Sequence, residues 1–384
     1  MVNIAIVQDR PVFKYQNKYY RLNLSEFDKY LKLCDHLLYC ASIVEISEGD
    51  SVRDMCVIDS SKVTILSIRK NNLFDKLCLS KFNIKSIQKA VELSDLVVIK
   101  MPSVSFGSYA IHCAKAFERK YILEVVGCAW DSFWYHSLRG KFLAPLSFLL
   151  TKIKIHEASY VLYVTSRFLQ DRYPTIGNSI GCSNVFIAEC DRKILEKRLE
   201  KIELLKLNGS LKIGTTSPVD VRFRGQEYVI KAIAKLKKRG LRFDYYMAGG
   251  GNSLFLKKLS VKLGVKDQVH FLGKLSSEEV NHYLDNIDIY IHPSKAEGLP
   301  RALIEAMSRG VPSLGSRTAG IPELLPDTRL FGKGRVDEIA LLLQQFTVDI
   351  MKYDAIYNYE FSKNYWEKKL MNKRKIFYSK VLQK

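Results

Sequence analysis

Short runs of β-branched and aromatic residues recur along the chain, separated by longer segments that are compatible with helix. This alternation constrains the fold most, because consecutive parallel strands need a long crossover connection, usually a helix. In the N-terminal half the pattern predicts strands at residues 3–8, 42–46, 63–68, 95–100, 121–126 and 160–165. We therefore predict an α/β fold with a doubly wound parallel sheet.

A highly charged segment, ECDRKILEKRLEKIELLKLNGS at residues 189–210, interrupts the alternation, which then starts again. The second series predicts strands at residues 211–214, 243–251, 269–273, 287–294 and 311–316. Two α/β units in tandem commonly bind a ligand between them, at the carboxyl ends of their strands. The sequence therefore predicts two domains with a boundary near residue 207.

The chain is strongly basic, with 60 Lys and Arg against 40 Asp and Glu and a net charge of +20. Such an excess indicates an anionic partner, and nucleic acid, anionic lipid and a phosphorylated substrate all fit. The eight Cys are scattered, which is typical of reduced thiols in a cytosol. No apolar run approaches the roughly 20 residues of a membrane span. MVNIAIVQDR is expected to be a first strand and not a signal peptide.

The stretch HPSKAEGLPRALIEAMSRGVPSLGSRTAGIPEL, residues 292–324, places Glu297 and Glu305 eight residues apart. A buried strand is predicted to end before it, and Pro300 and Gly310 mark the ends of a helix. The free N–H groups and the dipole at the start of this helix favour a phosphate or an electron-rich sugar hydroxyl. We therefore expect the two carboxylates to approach different parts of one ligand.

The alternative for this helix is a solvated ladder of salt bridges. Arg301, Glu305 and Arg309 are spaced at i, i+4 and i+8, and such pairs contribute only a few tenths of a kcal/mol each. The other helix residues are apolar or small, and the helix follows a strand through a Gly-Pro turn. These features favour the ligand-binding interpretation.

The ordered motifs of this stretch resemble the donor-binding signature of retaining glycosyltransferases of family 4, which have the GT-B fold. The motifs are Pro293-Ser294, Glu297-Gly298-Leu299-Pro300, Glu305, Gly310-Val311-Pro312 and Gly320-Ile321-Pro322-Glu323. In the N-terminal half, EVVGCAWDSFWYHSLRGKFLAP and YVLYVTSRFLQDRYP are similar to bacterial capsular or O-antigen polysaccharide transferases.

The resemblance implies two Rossmann-like domains that face each other across a cleft. The acceptor-binding domain would comprise residues 1–206 and the nucleotide-sugar-binding domain residues 207–355. The C-terminal helix, in residues 356–384, would cross back to the first domain. The family is metal-independent and needs no cofactor, because the nucleotide sugar is a co-substrate.

The resemblance also implies roles for individual residues. Glu305 would hold the ribose hydroxyls of the nucleotide sugar. Glu297, with the segment Gly298, Leu299 and Pro300, would hold the transferred sugar and the distal phosphate. In AGGG, Gly249 and Gly250 form a second candidate phosphate or nucleotide turn. In HFLGKL, Leu272 lies where the family contacts the base through backbone groups.

A departing diphosphate gains negative charge, so preorganised cations and N–H donors are expected to carry much of the catalysis. Family members place an Arg after the first strand of the second domain and a Lys before a Gly. Here Thr215 stands in the place of that Arg, and Arg224, before Gly225, replaces the Lys. Arg222 is the candidate that compensates for the missing Arg, because guanidinium groups chelate phosphate. The alternative for Arg222 and Arg224 is a basic surface loop.

The N-terminal half departs from the family pattern at two places. A loop predicted at residues 8–20, QDRPVFKYQNKYY, replaces the Gly-rich turn of many members. Gly127 and Cys128 stand where the family often has a His at the end of the fifth strand. Asp131 and His136 are the nearest polar candidates for that catalytic position, and the alternative for His136 is a structural role.

At least one of two basic segments is predicted to contact an anionic membrane. Residues 132–156 contain no acid and combine Arg139, Lys141, Lys152 and Lys154 with apolar residues at helical spacing. Residues 361–384 have a similar composition, and in both cases the apolar residues could instead belong to domain cores.

We predict a retaining glycosyltransferase that acts on a lipid-linked saccharide acceptor in bacterial surface polysaccharide biosynthesis. It would be cytoplasmic and peripheral at the inner face of the plasma membrane. A non-catalytic nucleotide-sugar-binding protein and a basic nucleic-acid-binding protein are the alternatives. No nucleic-acid recognition motif accompanies the charge, so we expect no nucleic-acid partner.

Overall fold

The computed structural model describes residues 2–8, 10–47, 52, 55–69, 79–103, 105–135, 138–205 and 210–383. Contacts between residues divide the chain into two compact units. Unit 1 comprises Met1–Cys182 together with Met371–Lys384, and unit 2 comprises Ser183–Leu370.

The described strands of unit 1 form one mostly parallel sheet. They are β1 (Asn3–Val7), β2 (Val12–Tyr15), β3 (Lys18–Arg21), β4 (His36–Glu45), β5 (Cys56–Val57), β6 (Val63–Ile68), β7 (Leu96–Met101), β8 (Lys120–Val125), β9 (Tyr160–Tyr163) and β10 (Asn178–Gly181). Their order is β10-β9-β8-β7-β1-β4-β2-β3-β5, and β6 also pairs with β4. The helices are α1 (Ser25–Leu31), α2 (Lys81–Glu92), α3 (Phe106–Ala116), α4 (Ala129–Trp134), α5 (Leu138–His156) and α6 (Phe168–Arg172).

Six strands of this sheet correspond to the six predicted in the N-terminal half. The prediction of a loop at residues 8–20 is wrong, because most of this segment forms the antiparallel β2–β3 hairpin, in which Phe13 faces Tyr20. Its aromatic and β-branched residues favour an extended backbone. The hairpin turns without Gly, because Gln16 itself adopts a positive φ of 51°.

Unit 2 contains a parallel sheet that is covered by helices. Its described strands are β11 (Leu211–Thr216), β12 (Phe243–Ala248), β13 (Val269–Gly273), β14 (Ile289–His292), β15 (Ser313–Ser316) and β16 (Leu330–Phe331), in the order β13-β12-β11-β14-β15-β16. The helices are α7 (Arg192–Glu203), α8 (Gln226–Lys237), α9 (Leu254–Lys262), α10 (Ser277–Asn286), α11 (Arg301–Ser308), α12 (Val336–Gln344) and α13 (Val348–Ser362). All five predicted strands are present, and β14 is buried along its whole length, as expected for a central parallel strand.

The first boundary between the compact units lies after Cys182, whereas the sequence predicts it near residue 207. Helix α7 belongs to unit 2, because the buried Arg198 donates hydrogen bonds of 2.7 Å to the carbonyls of Leu284 and Ile287. Helix α13 continues through the predicted boundary at 355/356 without a break. These connections depend on contacts across the chain, which composition does not reveal.

The last helix, α14 (Glu367–Gln383), returns the chain to unit 1, as predicted. Its Arg374 donates to Glu124 Oε1 at 2.5 Å, and the hydroxyl of Tyr378 donates to the same atom at 2.8 Å. Glu124 and Arg374 are both fully buried. Burial alone would raise the pKa of Glu124, but Lys100, Lys29 and Arg374 outweigh it and hold that pKa well below the usual value.

We expect Arg374→Met to destabilise unit 1 by about 3–5 kcal/mol, because it leaves the buried Glu124 carboxylate without one of its charged partners. Hydrogen exchange at the amides of α14 and urea unfolding measure this loss. Lys375→Met changes an exposed neighbour on the same helix, and its effect should stay within about 0.5 kcal/mol. Similar losses in the two variants would contradict the assignment.

Candidate active site

The carboxylate stretch lies at the carboxyl end of the unit 2 sheet. Strand β14 ends at the buried His292, and α11 begins at Arg301 after a connecting loop. Pro300 is the residue just before the helix, and Gly310 follows its end with a positive φ of 63°. The helix ends agree with the sequence prediction to within one residue.

A second loop, at residues 222–225, packs against the first. Arg222–Arg224 form one turn of 3₁₀ helix, and Gly225 has a φ of 80°. A Cβ at Gly225 would lie 2.1 Å from the carbonyl oxygen of Pro293, so only Gly fits here. The amide of Lys295 donates to the carbonyl of Phe223 at 2.7 Å. The two loops therefore hold each other in a fixed position.

This packing places Arg224 beside Glu297. An Nη1 hydrogen of Arg224 bonds Glu297 Oε1, and Nε2 of His292 donates to the same oxygen at 3.0 Å. The Glu297 side chain is 11% exposed. Burial would raise its pKa, but the hydrogen bond from His292 and the charge of Arg224 outweigh that effect, and the pKa is lowered. Glu297 is therefore a carboxylate anion at neutral pH.

Glu305 has a different environment on α11. Burial raises its pKa, and the nearby Arg301, with Nη1 3.8 Å from Glu305 Oε1, opposes the rise. Arg309 instead pairs with Asp285, at 2.8 Å from Nε to Oδ1. Of the alternative salt-bridge ladder along Arg301, Glu305 and Arg309, the described structure therefore shows the long contact between Arg301 and Glu305.

The charges of both carboxylates affect the pKa of Tyr290. Its pKa is raised, first by burial and then, against the effect of the Thr216 backbone, by the charges of Glu305 and Glu297. Both carboxylates thus act on one buried hydroxyl of β14.

The partners of Arg222 and Thr215 differ from the partner of Arg224. Arg222 is 62% exposed, donates to Glu227 at 3.0 Å and stacks on the ring of Phe255 at 3.6 Å. Thr215 is buried in β11 and donates to the carbonyl of Ile291 at 2.7 Å. Thr215 is thus part of the sheet, and the side chain of Arg222 is more exposed to solvent than that of Arg224.

The Gly-rich turn after β12 lies at the same edge of the sheet. A Cβ at Gly249 would lie 2.0 Å from the carbonyl oxygen of Ser217, and Gly250 accepts from the amide of Val219 at 3.0 Å. Leu272, near the end of β13, is exposed. The structure therefore brings together the strand ends that carry Gly249, Gly250 and Leu272.

The segment Gly298, Leu299 and Pro300 joins the strand end to α11. The carbonyl of Gly298 accepts a hydrogen bond of 3.0 Å from the amide of Gly320. This contact connects the Glu-Gly-Leu-Pro loop with the Gly-Ile-Pro-Glu loop. These two motifs of the sequence signature therefore belong to one local structure.

Sequence reasoning missed several polar groups of this site. His292 contacts Glu297 directly, and its only sequence signal is its place at a strand end before Pro-Ser. Among the described residues, the buried atoms without a hydrogen-bond partner include Thr216 Oγ1, Ser217 Oγ and Arg224 Nε. Buried polar groups normally find partners, so these three atoms favour a polar ligand at the end of β11.

The two N-terminal candidates are less defined. Asp131 lies on α4 in unit 1, where its charge helps burial to raise the pKa of Tyr135. His136 lies outside the described residues. Their catalytic roles stay predictions.

The fold and the site define a class: an α/β protein with two Rossmann-like units, one of which carries two carboxylates and an arginine at its strand ends. Residues 208–360 match the family model of glycosyl transferases group 1. The chain therefore contains a group 1 glycosyltransferase domain, and this domain includes Arg224, Glu297 and Glu305.

Three known proteins illustrate the similarity. CapJ of Staphylococcus aureus is 29% identical over 98% of this chain and 96% of its own. The amylovoran biosynthesis glycosyltransferase AmsK of Erwinia amylovora is 37% identical over 27% of each chain. The structure of Anabaena HepE in complex with UDP-glucose has a TM-score of 0.64, with 16% identity and 100% of both chains covered. HepE shares the fold, which confirms the GT-B prediction.

We expect Gly225→Ala to destabilise unit 2 more than Gly240→Ala. Both glycines have positive φ, but a Cβ at Gly240 meets nothing within 4 Å. Gly240→Ala should therefore cost only the backbone strain, about 1–2 kcal/mol. Gly225→Ala adds the collision with Pro293, and its cost should exceed about 4 kcal/mol. Urea unfolding compares the two, and equal costs would show that the loops do not need this close contact.

Proposed function

We propose that the chain is a retaining, metal-independent glycosyltransferase of family 4 with a nucleoside diphosphate sugar as donor. The observation that carries the proposal is the paired Arg224 and Glu297 at the strand end, with Glu305 on the helix that follows. The complex of HepE with UDP-glucose supports a nucleotide sugar as donor. The name of AmsK, an amylovoran biosynthesis glycosyltransferase, supports a place in surface polysaccharide biosynthesis.

Arg224 would bind the diphosphate of the donor. An arginine guanidinium is a planar cation that binds phosphate with two N–H donors, and Nε of Arg224 is a buried donor without a partner. The first amides of α11 have no partner within the helix and carry the positive end of its dipole. Together these groups would stabilise the charge that the diphosphate gains as the glycosidic bond breaks.

The two carboxylates would hold the two ends of the donor. Glu297 is an anion that can accept hydrogen bonds from hydroxyls of the transferred sugar. Glu305 is partly buried, and its Oε1 lies 3.8 Å from Nη1 of Arg301, so its oxygens can accept from the ribose hydroxyls. Retention would follow from attack by the acceptor on the face that the diphosphate leaves.

The product's anomeric configuration tests the proposal. Incubation with a nucleotide sugar and an acceptor saccharide should give a product with the donor's configuration, read from proton NMR coupling constants. The rate should survive a metal chelator, because Arg224 and backbone amides would supply the positive charge. Inversion would overturn the retaining assignment, and loss of activity with chelator, restored by metal, would overturn metal independence.

Glu305→Ala should weaken binding of the nucleoside diphosphate by about 10- to 100-fold, because each hydrogen bond to a charged group contributes about 1.5–3 kcal/mol. A panel of UDP, GDP and ADP, scored by thermal stabilisation, identifies the nucleotide. Arg301→Ala is the control, since it removes the partner of Glu305 and keeps the carboxylate. If the two variants bind the nucleotide equally well, Glu305 serves only the contact with Arg301.

The acceptor is proposed to be a lipid-linked saccharide at an anionic membrane, and α5 is the surface that supports this. Four of its side chains at helical spacing are exposed: Phe142 (87%), Leu146 (51%), Leu149 (53%) and Ile153 (47%). Arg139, Lys141 and Lys152 on the same helix are also exposed. An apolar face with flanking cations is complementary to an anionic bilayer surface. Among the helices described, none combines the length and hydropathy of a membrane span.

The second basic segment offers less apolar surface. On α14, Phe377 and Val381 are buried in unit 1, which is the core role that the sequence left open. Lys154 of α5 is engaged within the chain itself, because its ammonium donates a hydrogen bond to the side chain of Ser108. We therefore propose that α5, and not α14, places the protein at the inner face of the plasma membrane.

Changing Phe142 and Leu146 together to Ser should reduce binding to vesicles with anionic lipid by at least about 10-fold, because burying one large apolar side chain contributes about 1.5–3 kcal/mol. Ile376→Ser on α14 is the control, since Ile376 is 64% exposed. Vesicle sedimentation at low and high salt measures the binding, which should weaken as salt rises. No preference for anionic over neutral vesicles, or a loss with Ile376→Ser alone, would contradict the proposal.

A further inference from the structure

His292 occupies a central position in the hydrogen bonds around Glu297. It is the last residue of β14 and is 3% exposed. Its Nε2 lies 3.0 Å from Glu297 Oε1, and its Nδ1 lies 3.4 Å from the hydroxyl of Tyr290. A carboxylate only accepts, so Nε2 must carry a hydrogen. Nδ1 is then able to accept from the Tyr290 hydroxyl, and the ring has a partner on both sides.

The sheet fixes this ring in place. Tyr290 and His292 are on the same face of β14, with ring centroids 6.2 Å apart. The hydroxyl of Tyr290 accepts from the backbone amide of Thr216, at the end of β11, at 3.4 Å. A series of hydrogen bonds therefore leads from the backbone of β11 through Tyr290 and His292 to Glu297.

The two donors to Glu297 differ in what else they can do. Arg224 extends from a loop, is 28% exposed in its side chain, and has a buried Nε without a partner. The proposed function requires the same guanidinium at the diphosphate. When Arg224 binds phosphate oxygens, its bond to Glu297 weakens or is lost. His292 has no comparable second task, since it is enclosed at the strand end.

We propose that His292 is a positioning residue that holds Glu297 against the transferred sugar while Arg224 binds the diphosphate. This inference rests on the proposed function and extends it. Glu297 forms part of the loop before α11, and its side chain has several rotatable bonds. With His292 bound to Oε1, the carboxylate keeps one orientation in the donor complex. Without His292, the carboxylate would lose the donor that fixes Oε1 when Arg224 leaves it, and Ser294 would be the remaining side chain that acts on it.

Two amide variants separate this role from simple packing. In His292→Gln the side-chain amide can reach the position of Nε2 and donate to Glu297. In His292→Asn the shorter amide can replace Nδ1 beside Tyr290 but cannot reach Glu297. We expect Asn to lower kcat by about 10- to 100-fold, while the Kd for the nucleoside diphosphate stays within about twofold of the wild type. Gln should restore kcat to within about fivefold of the wild type.

The result that overturns the inference is equal activity of the Asn and Gln variants, or a loss of nucleotide affinity as large as the loss of kcat. Urea unfolding shows whether both variants fold. A double-mutant cycle of His292→Asn with Glu297→Gln in the same assay tests the hydrogen bond without any substrate, and zero coupling would also overturn it. If the wild type neither binds nucleotides nor transfers sugar, the proposed function fails, whereas the cycle still reports on the bond between His292 and Glu297.

Discussion

The close packing of the Arg222–Gly225 turn on the Pro293–Pro300 loop is the constraint on which the unit 2 site depends. Gly225 permits it, because any Cβ there would collide with the carbonyl of Pro293. The packing brings a cation from the end of β11 to a carboxylate at the end of β14. The amide of Lys295 and the hydroxyl of Ser294 both donate to the carbonyl of Phe223, so each loop supports the position of the other. The chemistry proposed for this site uses the resulting pair.

Both units place an acid at the end of a parallel strand and surround it with cations, but the two acids differ in access. Glu124 in unit 1 is fully enclosed by Lys100, Arg374 and Tyr378. Two of these partners, Arg374 and Tyr378, come from α14, so the cluster fixes that helix. Glu297 in unit 2 accepts a hydrogen bond from the buried His292, whereas its partner Arg224 is partly exposed to solvent. A buried ion cluster of the first kind gives structure, and one of the second kind can exchange a protein partner for a ligand.

The charge of the chain has several local explanations. Part of it is internal, as with Arg198 and Arg374, which are buried and bonded. Part of it lies on α5 beside an exposed apolar face, and part at the proposed diphosphate site. A net charge of +20 therefore does not indicate one anionic partner. Its distribution between the buried interior, the exposed face of α5 and the loop that carries Arg224 is a property of the folded chain.

The sequence determined the features that depend on neighbouring residues. Strand periodicity predicted the parallel sheets, and the Gly and Pro around residues 297–312 predicted the ends of α11, because backbone preferences act over a few residues. Arg224 beside Gly225 could likewise be recognised as a candidate from the motif. The prediction failed at residues 8–20, where a loop was expected and the β2–β3 hairpin forms instead.

Only the tertiary structure decided which distant residues meet. It paired Arg224 with Glu297, gave His292 a partner, and assigned α7 to unit 2 through the bonds of Arg198. It also decided that Phe142, Leu146, Leu149 and Ile153 of α5 are exposed while Phe377 and Val381 of α14 are buried, although both segments are basic and carry apolar residues at helical spacing. The physical reason is that burial and pairing depend on contacts between segments far apart in the chain, and local sequence carries no record of those contacts.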